Sequence, residues 1–325
     1  MQNWTNSFMY DCKYSVKIGN DYSKIWEPAF GVGQGRCYSP TLFNIGCLSM
    51  PIWETIGKSI LHADDGCTLI SGKTISDLNQ KIYDACVAKC DWYTSAGFVI
   101  NGLKSELMGI GCTPNTVSVA GHEVVNKDSI KFLGLTISSD LKWNLHVGKL
   151  CNQIRCAANR IRNEGRYFSI QDRTRLFNGW ARSLIHNNAL TFLPFLTKNL
   201  ILGLQRAMNS CVRAIYGLRR YGTEMITSLR KLLKIPSLEE IKDYVCLIGT
   251  WERRDLFKKK LTVEPRTRRQ HNRCLPAADS RGWAGKALNT VLITAWNKLP
   301  ALVKDCEVKD KAKSILKAFT FNFSE

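Results

Sequence analysis

From about Leu145 to Pro236 the apolar residues return every three or four positions, with Arg and Lys between them. A period near 3.6 sustained over that stretch is met by helices, so the larger part of this chain is committed to a helical core. Pro236 interrupts the pattern, because proline lacks an amide donor and its ring clashes with the preceding turn. Ser237, with Glu240 three residues on, predicts a capping box and a fresh helix. Residues 258–282 are basic, polar and poor in apolar side chains, as in a linker or arm. Trp296 to Phe323 predicts a last helical segment.

Before Leu145 the period changes to two. Tyr14, Val16 and Ile18 alternate ahead of a Gly19-Asn20-Asp21 turn, so residues 1–30 read as a short helix and a strand pair. A glycine-rich loop, Gly31 to Gly35, precedes a helix with Pro40 in its first turn and Leu42, Phe43, Ile45 and Leu48 on its apolar side. Ser59–Leu61 and Cys67–Ile70 predict a hairpin whose turn carries Asp64 and Asp65. Ser76 is placed to cap a helix bearing Leu78, Ile82, Ala85, Cys86, Lys89 and Trp92, which Gly97 ends. Phe98–Ile100, Val117–Val125 and Lys131–Ile137 predict extended chain. The expected division is a mixed α/β part over 1–140, a helical region over 141–257, and a basic arm with a C-terminal helix over 258–325.

Charge follows the same division. Residues 1–150 hold 13 basic and 13 acidic side chains, leaving 33 of the 46 basic and 14 of the 27 acidic residues, and thus the entire +19, in residues 151–325. A neutral first part and a cationic second part suit a polyanion partner, nucleic acid first among them, with a solubilising surface as the plainer alternative. The 13 cysteines form no paired Cys-x-x-Cys set: Cys86/Cys90, Cys151/Cys156 and His271/Cys274 stand without complements. They read as reduced, mostly buried small hydrophobes. The first residues lack a basic-then-apolar leader, and Ala189–Leu204 is interrupted by Pro194 and Lys198. An intracellular protein, nuclear or cytoplasmic, without membrane or evident protein partner, is expected.

Asp64-Asp65 is the candidate for chemistry. Nucleotidyl transfer uses two divalent ions about 3.5–4 Å apart, and a tight hairpin presents carboxylates without burying backbone polar groups. An aspartate pair in a turn is also ordinary turn chemistry. The glycines at 31, 33 and 35 permit close backbone approach to a ligand, and Gln34 adds an amide beside them.

Five segments then fall in order. Gly31-Val32-Gly33-Gln34-Gly35-Arg36-Cys37-Tyr38-Ser39-Pro40-Thr41-Leu42-Phe43-Asn44 is similar to the G-x-P-Q-G-S-x-x-S-P-x-L-F-N loop of non-LTR retrotransposon reverse transcriptases. His62-Ala63-Asp64-Asp65 resembles that family's aromatic-Ala-Asp-Asp hairpin. Gly97 to Asn101 with Lys104-Ser105-Glu106 resembles G-L-x-x-N-x-x-K-T-E. Lys131-Phe132-Leu133-Gly134 resembles the K-Y-L-G primer grip, and Ala295 to Pro300 the W-N-x-L-P signature. The resemblance implies an α/β (α+β) polymerase palm fragment followed by an all-helical thumb-like region.

It further implies Asp64 and Asp65 as ligands of Mg2+ (or Mn2+), and Lys104 near the leaving pyrophosphate. Gly31, Gln34, Gly35, Arg36 and His62 would line the nucleotide and template pocket, with RNA template and DNA primer as partners. Lys131, Arg160, Arg162, Arg166, Arg173 and Arg175 are candidates for nucleic-acid backbone contact. The family's other metal-ligand aspartate lies upstream of the glycine loop, and the chain begins after that segment, so an N-terminally truncated, catalytically inactive polypeptide with weakened metal binding is expected. Gly33 for proline, Arg36 for serine and His62 for Tyr or Phe depart in the same direction. Three readings follow. One is a reverse transcriptase needing its upstream part. Another is a non-catalytic, co-opted RNA- or DNA-binding remnant. The last, an unrelated phosphotransferase, lacks a second carboxylate cluster, since Glu239-Glu240 suits a helix N-terminus.

Overall fold

A computed structural model describes residues 13–27, 33, 35–47, 56–219, 225–255 and 288–321. The chain divides into two compact units, residues 1–133 and 134–325.

In the first unit six of the seven strands pair two by two within the unit. Strands β1 (Lys17–Ile18) and β2 (Asp21–Tyr22) flank Gly19-Asn20, and Tyr14 stacks on Trp26 beside them with ring centroids 5.1 Å apart. Helix α1 (Ser39–Cys47) carries Pro40 in its first turn, where a missing amide costs nothing. Strands β3 (Gly57–His62) and β4 (Asp65–Ile70) form the anticipated hairpin. Helix α2 (Ile75–Ser95) is capped by Thr74, whose hydroxyl accepts the Asp77 amide; Ser76 already lies inside the helix. The threonine wins the cap because it alone is extended at the entry to the turn. Gly97, at φ +77°, ends the segment as expected.

Strands β5 (Val117–Val119) and β6 (His122–Val124) turn through Ala120-Gly121, and β7 (Ser129–Phe132) ends the unit. The Val117–Val125 segment is thus a hairpin and not one strand. Ile82, Val117 and Val124 make a small core with Ile70, Leu78 and Leu107 around it. Among the described residues no sheet exceeds two strands.

The second unit opens with β8 (Leu135–Ser138) and is otherwise helical. Helix α3 (Asn144–Asn163) buries Val147, Leu150, Cys151, Ile154, Ala157, Ala158 and Ile161, a stripe at three- and four-residue spacing. Helices α4 (Ile170–Phe177), α5 (Ser183–His186) and α6 (Ala189–Phe192) follow, α4 and α5 joined by a π-helical turn at Asn178–Arg182. Helix α7 (Lys198–Ile215) packs along α3, where the Cys211 thiol donates to the Ile154 carbonyl at 3.5 Å. Burial pushes that thiol up to about 12 and Cys246 to about 11. Helix α8 (Ile226–Leu232) precedes α9 (Leu238–Glu252), which begins at the foreseen Ser237/Glu240 capping box.

The C-terminal segment consists of three helices, α10 (Leu288–Lys298), α11 (Ala301–Lys304) and α12 (Lys309–Thr320), with Pro300 at the first break. They dock on α9: Trp251 Nε1 donates to the Cys306 carbonyl at 3.0 Å and Thr250 to Leu292 at 3.3 Å. The residues of arm 258–282 lie outside the described ones.

One expectation needs correcting. Of the described cysteines four are buried, but Cys37, Cys112 and Cys156 are exposed and four more are intermediate, so burial is not their common state. The exposed ones sit in loops or on the outer face of α3, where no apolar neighbour covers them. No described helix is long and apolar enough to cross a membrane.

Candidate nucleic-acid site and the carboxylate turn

In the β3–β4 hairpin His62 pairs with Asp65, which leaves Ala63 and Asp64 as a two-residue turn. Asp64 therefore sits in the turn, Asp65 opens β4, and both are exposed, as is His62. Ala63 takes φ +51°, the left-handed region that glycine favours in such hairpins. Ala63→Gly is expected to raise the stability of this unit by about 0.5–1 kcal/mol, since it removes the left-handed penalty on a residue with a Cβ. A lower unfolding midpoint for the variant would contradict the turn geometry.

One face of the hairpin is packed. Ser59 and Thr68 hydroxyls lie 3.1 Å apart, and Lys89 of α2 reaches the same Thr68 hydroxyl. Burial pulls Lys89 below its ordinary value, while the Cys86 and Cys67 thiols oppose the shift. The other face is open: Ile60 is 50% exposed and Leu69 56%. The apolar flanks of the carboxylate turn therefore bury only one side of the arms. Strand alternation turns Ile60 and Leu69 away from α2, and Leu61 and Ile70 toward it.

The remaining family-like positions are spread over the first unit. Gly31 and Gln34 lie outside the described residues. Gly35 has φ +81° with open space around it. The Arg36 guanidinium lies 5.7 Å from the centroid of the Tyr14 ring, and a Cβ at position 33 would fall 2.7 Å from both Arg36 Nε and Tyr14 Oη. A side chain at 33 would have to turn aside the ends of the Arg36 and Tyr14 side chains.

Lys104 is exposed on a 3-10 turn whose start is held by Asn101, and no ion pair joins it to Asp64 or Asp65. Lys131 is exposed on β7, and its amide donates to Glu106. Glu106 also grips Lys127 at 2.8 Å, and that hydrogen bond holds its carboxyl below the ordinary range.

Among the described residues no group of three His, Cys, Asp or Glu side chains is arranged to hold a metal ion. Magnesium favours near-octahedral oxygen coordination, to which proteins usually contribute one or two carboxylates. Among the described residues no third acid stands with Asp64 and Asp65, which are adjacent in sequence, to complete a paired-ion donor set.

The arginines of the second unit have distinct partners. Arg160 stacks on Trp180, its guanidinium 4.2 Å from the ring centre, and pairs with Glu164 at 3.3 Å. Arg162 has a buried Nη2 without a hydrogen-bond partner. Arg175 pairs with Asp172 at 2.7 Å. Arg173 spends three N–H groups on carbonyls, Nε on Gly165 at 2.8 Å, Nη2 on Arg166 and Nη1 on Ile215, both at 2.9 Å, so it ties a turn to the end of α7. Arg166 lies over Tyr167, 4.6 Å from its ring centre. Tyr167 is 80% exposed and Phe168 49%, a pair that reading by charge alone passed over. The run Arg166-Tyr167-Phe168, aromatics beside a cation between two helices, was the available signal.

No family model matches the chain, and no solved structure does. The RNA-directed DNA polymerase from the mobile element jockey of Drosophila melanogaster is 25% identical over 166 residues, 48% of this chain and 18% of that protein. The likeness is a distant relationship to a reverse transcriptase, and this chain spans less than a fifth of that relative's length.

Proposed function

We propose that this chain is a nucleic-acid-binding protein of the reverse-transcriptase kind, engaging RNA template and DNA primer through its cationic helical unit without turning over nucleotides itself. The observation that carries the reading is the Ala63-Asp64 turn with Asp65 opening the next strand. It resembles the aromatic-Ala-Asp-Asp hairpin of that family, with His62 in place of the Tyr or Phe, the glycine loop before it and the lysine and K-F-L-G segments after it. The distant similarity to the jockey polymerase supports the same kind. The full +19 lies in residues 151–325, which supports the polyanion partner. The binding reading without turnover is supported by the two carboxylates having no third donor beside them among the described residues. Among the described residues, Asp64 and Asp65 stand without the further donors that a paired-ion site uses.

Affinity for a primer–template duplex measured across salt should fall with a log–log slope of about −3 or steeper, as three or more phosphate contacts require. A slope near zero rejects the phosphate-dominated interface. Primer extension with Mg2+ or Mn2+ is expected to be absent from this chain. Extension that Asp64→Ala abolishes would replace the binding-only reading with an enzymatic one.

A further inference from the structure

The connection between α3 and α4 holds large apolar rings in water on a backbone that is pinned. Gly165 to Tyr167 form a 3-10 turn. Arg173 clamps its carbonyls at Gly165 and Arg166 and, through Ile215, fastens the turn to α7. Gly165 is buried, and a Cβ there would meet the Arg173 side chain at 3.4 Å. Phe168 leads into Ser169, which caps α4 by accepting the Asp172 amide. Local disorder is thus no account of the exposure: the backbone is hydrogen-bonded from both sides, yet Tyr167 presents 80% of its surface and Phe168 49%.

The surroundings are cationic. Residues 155–182 contain seven arginines against two acids, Glu164 and Asp172, and both acids are already engaged, by Arg160 and Arg175. Arg166 stands over the Tyr167 ring, its guanidinium 4.6 Å from the ring centre. A protein surface or a lipid would match the rings; the surplus of guanidinium groups calls for repeated anions as well. Nucleic acid supplies both, in bases and phosphates, but only where the base faces are not covered by pairing.

We propose that the Arg166-Tyr167-Phe168 turn is a stacking platform for unpaired bases of a single-stranded RNA or DNA segment, with the flanking arginines on its phosphates. This rests on the nucleic-acid reading above and deepens it, since charge alone does not distinguish single strand from duplex. The fixed turn lowers the cost of binding, because the rings are held in place before the strand arrives. Arg173 is a positioning residue for this surface.

The test uses the full chain and two fluorescein-labelled probes, an oligo(dT) 20-mer and a blunt duplex of the same length, with affinities read by anisotropy over a salt series. Tyr167→Ala should weaken oligo(dT) binding roughly fivefold to a hundredfold, the range for losing one stacked base. Duplex affinity should change by no more than about twofold, and Tyr167→Phe should restore the single-strand affinity. The salt slope of Tyr167→Ala should match wild type, whereas Arg166→Ala should reduce it by about one. Because Tyr167 is exposed, an unchanged melting temperature serves as the folding control. If wild type binds both probes and Tyr167→Ala binds oligo(dT) unchanged, or loses both equally, the platform is wrong while the nucleic-acid reading stands. If wild type binds neither probe, both fall.

Discussion

Glu240→Ala is expected to cost the helical unit about 3–5 kcal/mol, which for a domain of marginal stability is a large share of the whole. Arg230 is 8% exposed, and its Nη1 donates to the Ile235 carbonyl at 2.7 Å and to Glu240 at 3.3 Å. Glu240 also accepts the Ser237 amide as the returning half of the capping box. Removing the carboxylate leaves a buried guanidinium without its counter-charge and frees an amide at the start of α9. Burial on its own would raise the Glu240 carboxyl, but the Ser237 hydroxyl and amide and the Arg230 guanidinium outweigh it and hold it below the ordinary value.

A carboxyl depressed in the folded state stabilises fully above its unfolded pKa, about 4.3, and loses that contribution as the pH falls through the folded value. The difference between variant and wild type should therefore be widest at neutral pH and shrink in acid. Urea unfolding followed by tryptophan fluorescence at two pH values checks both claims. A variant within about 0.5 kcal/mol of wild type at neutral pH, the scatter of surface substitutions, would refute the first.

Trp296→Ala should cost about 3–5 kcal/mol as well, the range for emptying an aromatic site in a packed core. Trp296 is 2% exposed, Leu299 4% and Ala295 5%, whereas Lys298 between them is exposed. The segment that resembles the W-N-x-L-P signature is thus built as the apolar side of α10 and the break after it. Lys304 lies over the indole at 5.2 Å, and α10 joins α9 through the Thr250–Leu292 hydrogen bond. Lys298→Ala should stay within about 0.5 kcal/mol of wild type. Nucleic-acid affinity per folded molecule should be unchanged in Trp296→Ala, because the substitution acts on the core and not on the cationic turn. Equal unfolding midpoints for wild type and Trp296→Ala would show that the C-terminal helices are not part of the second unit's core.

The helices were legible wherever local rules decide. The stripe of α3, the Ser237/Glu240 box and the alternation of β3 and β4 all depend on neighbours within four residues. The Thr74 cap was missed because two hydroxyls compete there, and the choice between them is made by backbone dihedrals rather than residue type. Which face of the hairpin is covered was equally hidden: Ile60 and Leu61 are alike in composition, and only the position of α2 separates them. The site shows the same division. The position of Asp64 and Asp65 at the hairpin turn was legible from their segment and its neighbours in order. Arg173 looked like any other cation until its bond to Ile215, 42 residues along the chain, assigned it to holding a turn.

Periodicity, capping chemistry and motif order, all short-range quantities, determined from the amino acids alone that a strand-bearing part precedes a cationic helical part and that a carboxylate pair caps a hairpin. Tertiary structure alone decided which arginines are committed and which rings remain in water. Those outcomes depend on the spatial meeting of α3, α4 and α7, where a guanidinium takes whichever carbonyls the packing brings within 3 Å. No spacing along the chain encodes that distance.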